Sequence, residues 1–300
     1  MRLIDLRCDW ALQYAAESSQ YDPAAYPEIP PRVARLNGYL MGASLAILRC
    51  RRTAADWAAQ PSPWQALDEM LARCEAEFSG RLLATRDDVG RWEAEPADAL
   101  CWAAPAVVGL DSLLQSPADL DRLAPLFQRG VRVFQTSRPD PDFLGRLAEL
   151  ATEDGPRPIL DLADADASAA STALAWFEAD PERPRRVLLL HSACDAPTLE
   201  SDLVGRLRAL GGTVGVIPGA SPEAFRSTID AIAALAFLGE PGYRGIGVST
   251  DFLGTETVAP ELADVDKLIA WIAGNFPADV APLLIEGNAR RLLKSAAGSP

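Results

Sequence analysis

Four side chains able to work together on a polar substrate stand where apolar runs end: Asp9, Asp111, His191 and Asp251. Three carboxylates and an imidazole can move protons, and they equally form a hard, oxygen-rich ligand set for a divalent cation. His191 is the only histidine in the chain and closes the apolar run Val187 to Leu190. Arg7 precedes Asp9 by two positions, so on a continuing strand both point to the same side. Arg138 follows a further apolar run. Arginines at a pocket mouth suit bidentate recognition of a carboxylate or phosphate. Each residue also has a plainer reading. Asp9 and Asp251 could cap helices or pair with arginines, and Asp164 reads as a solvated loop residue or helix cap.

The elements that must position these groups are legible as eight short strand-like runs. They are Arg2 to Leu6, Ser44 to Leu48, Ala106 to Leu110, Val131 to Gln135, Pro158 to Leu162, Val187 to Leu190, Thr213 to Ile217 and Gly245 to Ser249. Most are unbroken apolar or β-branched, as expected of parallel strands covered on both faces. Between them lie amphipathic helices. Trp64, Leu67, Leu71, Cys74 and Phe78 form one stripe, with Ser62 as cap, Pro63 at the first helical position and Gly80 at the exit. Ser221-Pro222-Glu223 opens another helix that buries Phe225, Ile229, Ile232 and Leu235. Asp264 opens a third, carrying Leu268, Ile269, Trp271 and Ile272. Eight strands alternating with helices predict a (β/α)8 TIM barrel spanning residues 1–300 as one domain, with a Pro-rich loop insertion around 19–36. No Gly-x-Gly-x-x-Gly follows a strand and no phosphate-binding loop of the Walker type occurs. In such a barrel the C-terminal strand ends carry the chemistry, which is where the four residues fall.

Composition narrows the partners. The net charge is −14 and no Lys/Arg-rich run occurs, which argues against nucleic acid and anionic membrane. Lys267 and Lys294 are the only lysines, so a Schiff-base lysine inside the fold is not expected. Five scattered cysteines without a Cys-x-x-Cys pair predict reduced thiols and a cytoplasmic protein. The opening run is too short for a signal peptide, and no run is long enough to span a bilayer.

Five segments in order resemble the renal, or membrane, dipeptidase family of zinc metallopeptidases, which are amidohydrolase-like, metallo-dependent hydrolase barrels. Gly245-Ile-Gly-Val-Ser-Thr-Asp251-Phe-Leu-Gly254 is similar to that family's Gly-x-Gly-Ser-Asp-Phe-Asp-Gly segment. His191-Ser192 is similar to its Ser-His-Ser, and Val108-Gly-Leu-Asp111 to its Gly-x-Glu-Gly. Gly130-Val-Arg132 is similar to its Gly-Val-Arg, and Gly287-Asn288-Ala-Arg-Arg291 to its Gly-Asn-x-x-Arg. The departures fall on the family's metal and substrate positions. Its His-x-Asp is Arg7-Cys8-Asp9 here, and its bridging Glu is Asp111. Its histidine after strand 5 falls on Asp164, and its substrate-binding histidine after strand 4 falls on Arg138. The family's arginine soon after the strand 6 histidine has no counterpart at Ala196-Pro197-Thr198.

A guanidinium about 4 Å from a dication, at an effective dielectric near 20, costs roughly 8 kcal/mol. That is a large share of the roughly 10–16 kcal/mol with which a structural zinc binds. The resemblance therefore implies a degraded site holding no metal or one divalent ion, Zn or Mn, on Asp9, Asp111 and His191, not two zincs. The leading expectation is a dipeptidase-like protein without standard dipeptidase activity. It would bind a small carboxylate-bearing molecule or peptide through Arg7 and Arg138, and the resemblance adds a homodimer as a candidate assembly. The alternatives are a single-metal hydrolase of dipeptides or N-acyl amino acids with Asp251 as general base, and a metal-free enzyme using His191 and Asp251 as an acid–base pair.

Overall fold

A computed structural model describes residues 1–11, 39–50, 62–96, 98–193, 201–252 and 257–298. The expected Pro-rich insertion around 19–36, Cys194, Ala196-Pro197-Thr198 and Gly254 lie outside the described residues. Eight parallel strands close into a barrel in chain order. They are β1 (Leu3–Cys8), β2 (Ala43–Cys50), β3 (Trp102–Val107), β4 (Val133–Gln135), β5 (Ile159–Asp161), β6 (Leu188–Ala193), β7 (Thr213–Val216) and β8 (Ile246–Val248). The helices include α1 (Pro63–Glu77), α2 (Arg86–Glu93), α3 (Pro141–Glu149), α4 (Ala167–Glu178), α5 (Ser201–Ala209), α6 (Pro222–Ala234), α7 (Val265–Asn275) and α8 (Asn288–Ala296). The alternation read from the sequence is the observed one. The third strand starts and ends earlier than expected, with consequences for Asp111. Among the described residues no helix is long and apolar enough to cross a membrane.

Local chemistry sets the helix ends as expected. Ser62, Ser221 and Asp264 accept the backbone N–H of Gln65, Ala224 and Lys267, and Pro63 and Pro222 occupy the first helical positions. The stripe of α1 buries Leu67, Leu71 and Cys74, and Phe78 beyond its end is fully buried, while Trp64 packs at the margin.

The barrel lumen is graded from apolar to polar. Ile4, Leu6, Leu45, Ile47, Ala104, Ala106, Val133, Ile159 and Leu190 fill the lower lumen together with Ala289, Leu292 and Leu293 of α8, which plugs the N-terminal end. The next inward positions toward the C-terminal end are Arg49, Gln135, Asp161, Ser192 and Ser249, by the two-residue period of the strands. Gly215 leaves room for this polar layer, since a Cβ there would lie 2.0 Å from Ser249 Oγ. β1 departs from strict alternation. Asp5 pairs with Ala46 but Cys8 pairs with Leu48, so β1 carries one extra residue, a bulge. Asp5 and Cys8 face the outer layer, whereas Leu6 and Arg7 both serve the lumen side. The Arg7 N–H released from the ladder donates to Asp5 Oδ1 at 3.0 Å.

Candidate functional site

At the C-terminal mouth two buried guanidinium groups interleave with carboxylates. The bulge in β1 delivers Arg7, whose Nε donates to Asp251 Oδ1 at 2.8 Å. The end of β2 delivers Arg49, only 1% exposed, whose Nη1 lies 3.1 Å from the same Asp251 Oδ1 and 3.2 Å from Asp9 Oδ1. Its Nη2 donates to Gln135 Oε1 at 3.2 Å. On the solvent side Asp164 sits 3.9 Å from Arg7 and 3.7 Å from Arg49.

Backbone geometry holds this cluster. Past the strand ends β1 and β8 remain joined: Asp251 N–H donates to Arg7 O at 2.8 Å and Asp9 N–H to Phe252 O at 3.0 Å. Asp251 adopts a left-handed φ of +49°, uncommon for a residue with a Cβ though tolerated by Asp, which turns its carboxylate back over the mouth. Behind the wall, Asp5 accepts from Thr250 N–H, Thr250 Oγ1, Tyr39 Oη and Arg7 N–H. Burial pushes its pKa up to about 6 against the opposing pull of those four donors. Burial also works against the charge of Arg7. The carboxylates of Asp251, Asp161 and Asp9 more than offset it, and the Arg7 pKa rises above the ordinary arginine value. Asp161 is raised by burial, opposed by Arg7 and Arg49.

The structure brings Arg7, Asp9 and Asp251 together, and it places the other expected residues elsewhere. His191 pairs with Val214, whose side chain belongs to the outer core. Its neighbour Ser192 is the residue in the lumen, 3.1 Å from Ser249. The period-two pleat therefore turns His191 toward the helical layer, away from Asp251, and the two do not form an acid–base pair. Asp111 lies beyond the end of β3 in a short 3-10 turn. Its carboxylate binds Thr136 Oγ1 and the N–H groups of Ser137 and Arg138, fixing the loop after β4. Arg138 is exposed, on a cleft of about 390 Å³ that it shares with Asp111, Asp140, Asp142 and Phe143.

A metal fits these residues poorly. One nitrogen of Arg49 occupies the space between Asp9 and Asp251, and among the described residues no three His, Cys, Asp or Glu side chains gather as a metal-binding group. Two guanidinium groups beside the same carboxylate oppose a dication by Coulomb repulsion. Arg49, Gln135 and Asp161 were not among the expected site residues. The signal for Arg49 was available in the spacing Leu45, Ile47, Arg49, a period-two inward row that continues one step past the expected end of the strand.

The remaining family-like segments are structural and sit away from the mouth. Arg132 stacks 4.2 Å over Phe127 and donates to the carbonyls of Ala84, Phe127 and Val131. Asn288 at the start of α8 accepts from Gly245 N–H and donates to Tyr243 O and Ile246 O, tying that helix to β8.

No protein-family model and no curated protein matches the sequence. Among solved structures, the chain is similar to the probable dipeptidase PvdM from Pseudomonas aeruginosa, with a TM-score of 0.59 and 14% identity over 99% of this chain and 96% of that one. An amidohydrolase from Burkholderia multivorans with bound zinc aligns with a TM-score of 0.49 and 16% identity over 98% and 99% of the two chains, too distant to carry an argument. At this identity the PvdM likeness establishes a shared barrel fold and leaves the chemistry to be argued from the residues.

Proposed function

We propose that this chain is a divergent renal-dipeptidase-like barrel. Its mouth binds a small carboxylate-bearing molecule or peptide and does not perform two-zinc peptide hydrolysis. One observation carries the reading: the Arg49 guanidinium stands between Asp9 and Asp251, hydrogen-bonded to Asp251 and within 3.2 Å ion-pair distance of Asp9. Arg7 takes a further bond to Asp251. One oxygen of each carboxylate that would serve a cation, Asp9 Oδ1 and Asp251 Oδ1, already lies within ion-pair distance of a fixed positive charge. Arginine keeps its charge at any working pH, so no proton loss opens the site to a metal. The same guanidinium groups supply the fork geometry that recognises a carboxylate. The overall likeness to a probable dipeptidase is consistent with descent from a hydrolase-type barrel.

The test is elemental analysis of protein incubated with excess zinc and then desalted, alongside hydrolysis assays on dipeptides and N-acyl amino acids. The expected result is no stoichiometric metal and no hydrolysis. Two zinc ions per chain with hydrolysis would overturn the proposal, and one tightly held ion with hydrolysis would establish a single-metal hydrolase instead.

A further inference from the structure

We infer that Arg7, Arg49 and Gln135 form an oxyanion cradle, and that Asp164 is its built-in competitor, displaced when a ligand carboxylate binds. The inference deepens the functional reading above and rests on it.

Arg7 commits Nε to Asp251 at 2.8 Å and, among the described residues, donates no hydrogen bond from Nη1 or Nη2, although its side chain is only 9% exposed. Gln135 is fully buried, and its Oε1 is fixed by the bond from Arg49 Nη2 at 3.2 Å. Turning the amide over would set donor against donor, so Nε2 is held without a hydrogen-bond partner. Among the described residues, then, Arg7 Nη1 and Nη2 and Gln135 Nε2 are donors without an acceptor, on two side chains linked through Arg49 and Asp251.

The loop after β5 brings Asp164 to the mouth, half-exposed, with its oxygens 3.9 Å from Arg7 Nη2 and 3.7 Å from Arg49 Nη2. Both separations exceed hydrogen-bonding reach, so Asp164 pairs by charge alone. Asp9, Asp161 and Asp251 already face the two guanidinium charges, and Asp164 adds a fourth carboxylate. A ligand carboxylate that takes the place of Asp164 exchanges one negative charge for another and leaves the charge balance of the mouth unchanged. Untethered, it can close to the roughly 2.8 Å of charge-assisted, bidentate bonds that the loop denies Asp164. The cradle therefore selects a small molecule with an accessible carboxylate, and Asp164 sets the threshold affinity.

Isothermal titration calorimetry of the full chain with acetate, N-acetyl-L-alanine and L-alanyl-L-alanine tests this, with N-acetyl-L-alaninamide as the control lacking a carboxylate. The wild type is expected to bind at least one of the acids and not the amide. Asp164→Asn should bind that acid about fivefold tighter, the scale of a part-exposed ion pair. Arg7→Gln should lose it. Asp164 is half-exposed, so its variant is expected to fold, which a thermal melt verifies. If the wild type binds and Asp164→Asn binds equally or more weakly, the competitor role is overturned while the reading of the mouth stands. If none of the acids binds the wild type or Asp164→Asn, the cradle and that reading fall together.

Discussion

Arg49 ties three polar groups of the mouth together. It is 1% exposed and reaches Asp9, Asp251 and Gln135 from one guanidinium. Removing one partner of a buried ion pair strands the other's charge, at a cost of about 3–5 kcal/mol. Arg49→Met should therefore lose that much in urea melts at neutral pH. Adding Asp9→Asn should recover part of the loss, because the stranded charge goes with it. Asp5 provides a test that depends on pH. Its folded pKa is about 6 and the ordinary carboxyl value is 3.8, so the folded chain holds this proton more tightly than the unfolded one. The associated stability is fully present below about pH 4 and is lost as pH rises through 6, by about 3 kcal/mol. Asp5→Asn keeps the shape and can still accept from the backbone donors. It should flatten the stability profile measured between about pH 4 and 6, and an unchanged slope would assign that titration to another group.

At the scale of elements, the bulge in β1 and the closure of β8 onto β1 decide what the mouth contains. An unbulged β1 would send Arg7 outward with Asp5, and the Arg7–Asp251 bond could not form. The far end of the barrel is held by α8, where Asn288 is 4% exposed and makes three hydrogen bonds to the segment entering β8. Asn288→Ala should cost about 2–4 kcal/mol in chemical denaturation, because it leaves a backbone donor and two carbonyls buried without partners. The strands and several helix starts were legible in the sequence, since unbroken apolar runs and Ser-Pro or Asp caps act locally. Facing was not. His191 was placed by its nearness to a strand end, which does not say which side of the strand it occupies, and a single step along β6 gives the lumen to Ser192 instead. Asp111 was placed by an expected third strand of Ala106 to Leu110. The observed Trp102–Val107 ends earlier and frees Asp111 to bind the loop after β4. Arg7 and Asp251 do reach the mouth, Arg7 because the bulge in β1 turns it inward and Asp251 because the chain past β8 folds back over the strand end.

For the whole molecule, a (β/α)8 barrel carries a mouth in which the guanidinium groups of Arg7 and Arg49 stand among the carboxylates. The chain carries a net charge of −14, so divalent ions will gather diffusely around it, and bulk zinc affinity alone says little about the mouth. Position is what distinguishes a bound metal from that atmosphere. The most direct measurement is a crystal structure of protein soaked in zinc, with an anomalous difference map at the zinc edge. The account predicts no peak among Asp9, Asp161 and Asp251, with Arg49 still bonded to Asp251 and paired by charge with Asp9. Zinc peaks at those carboxylates, with Arg7 and Arg49 swung aside, would contradict it.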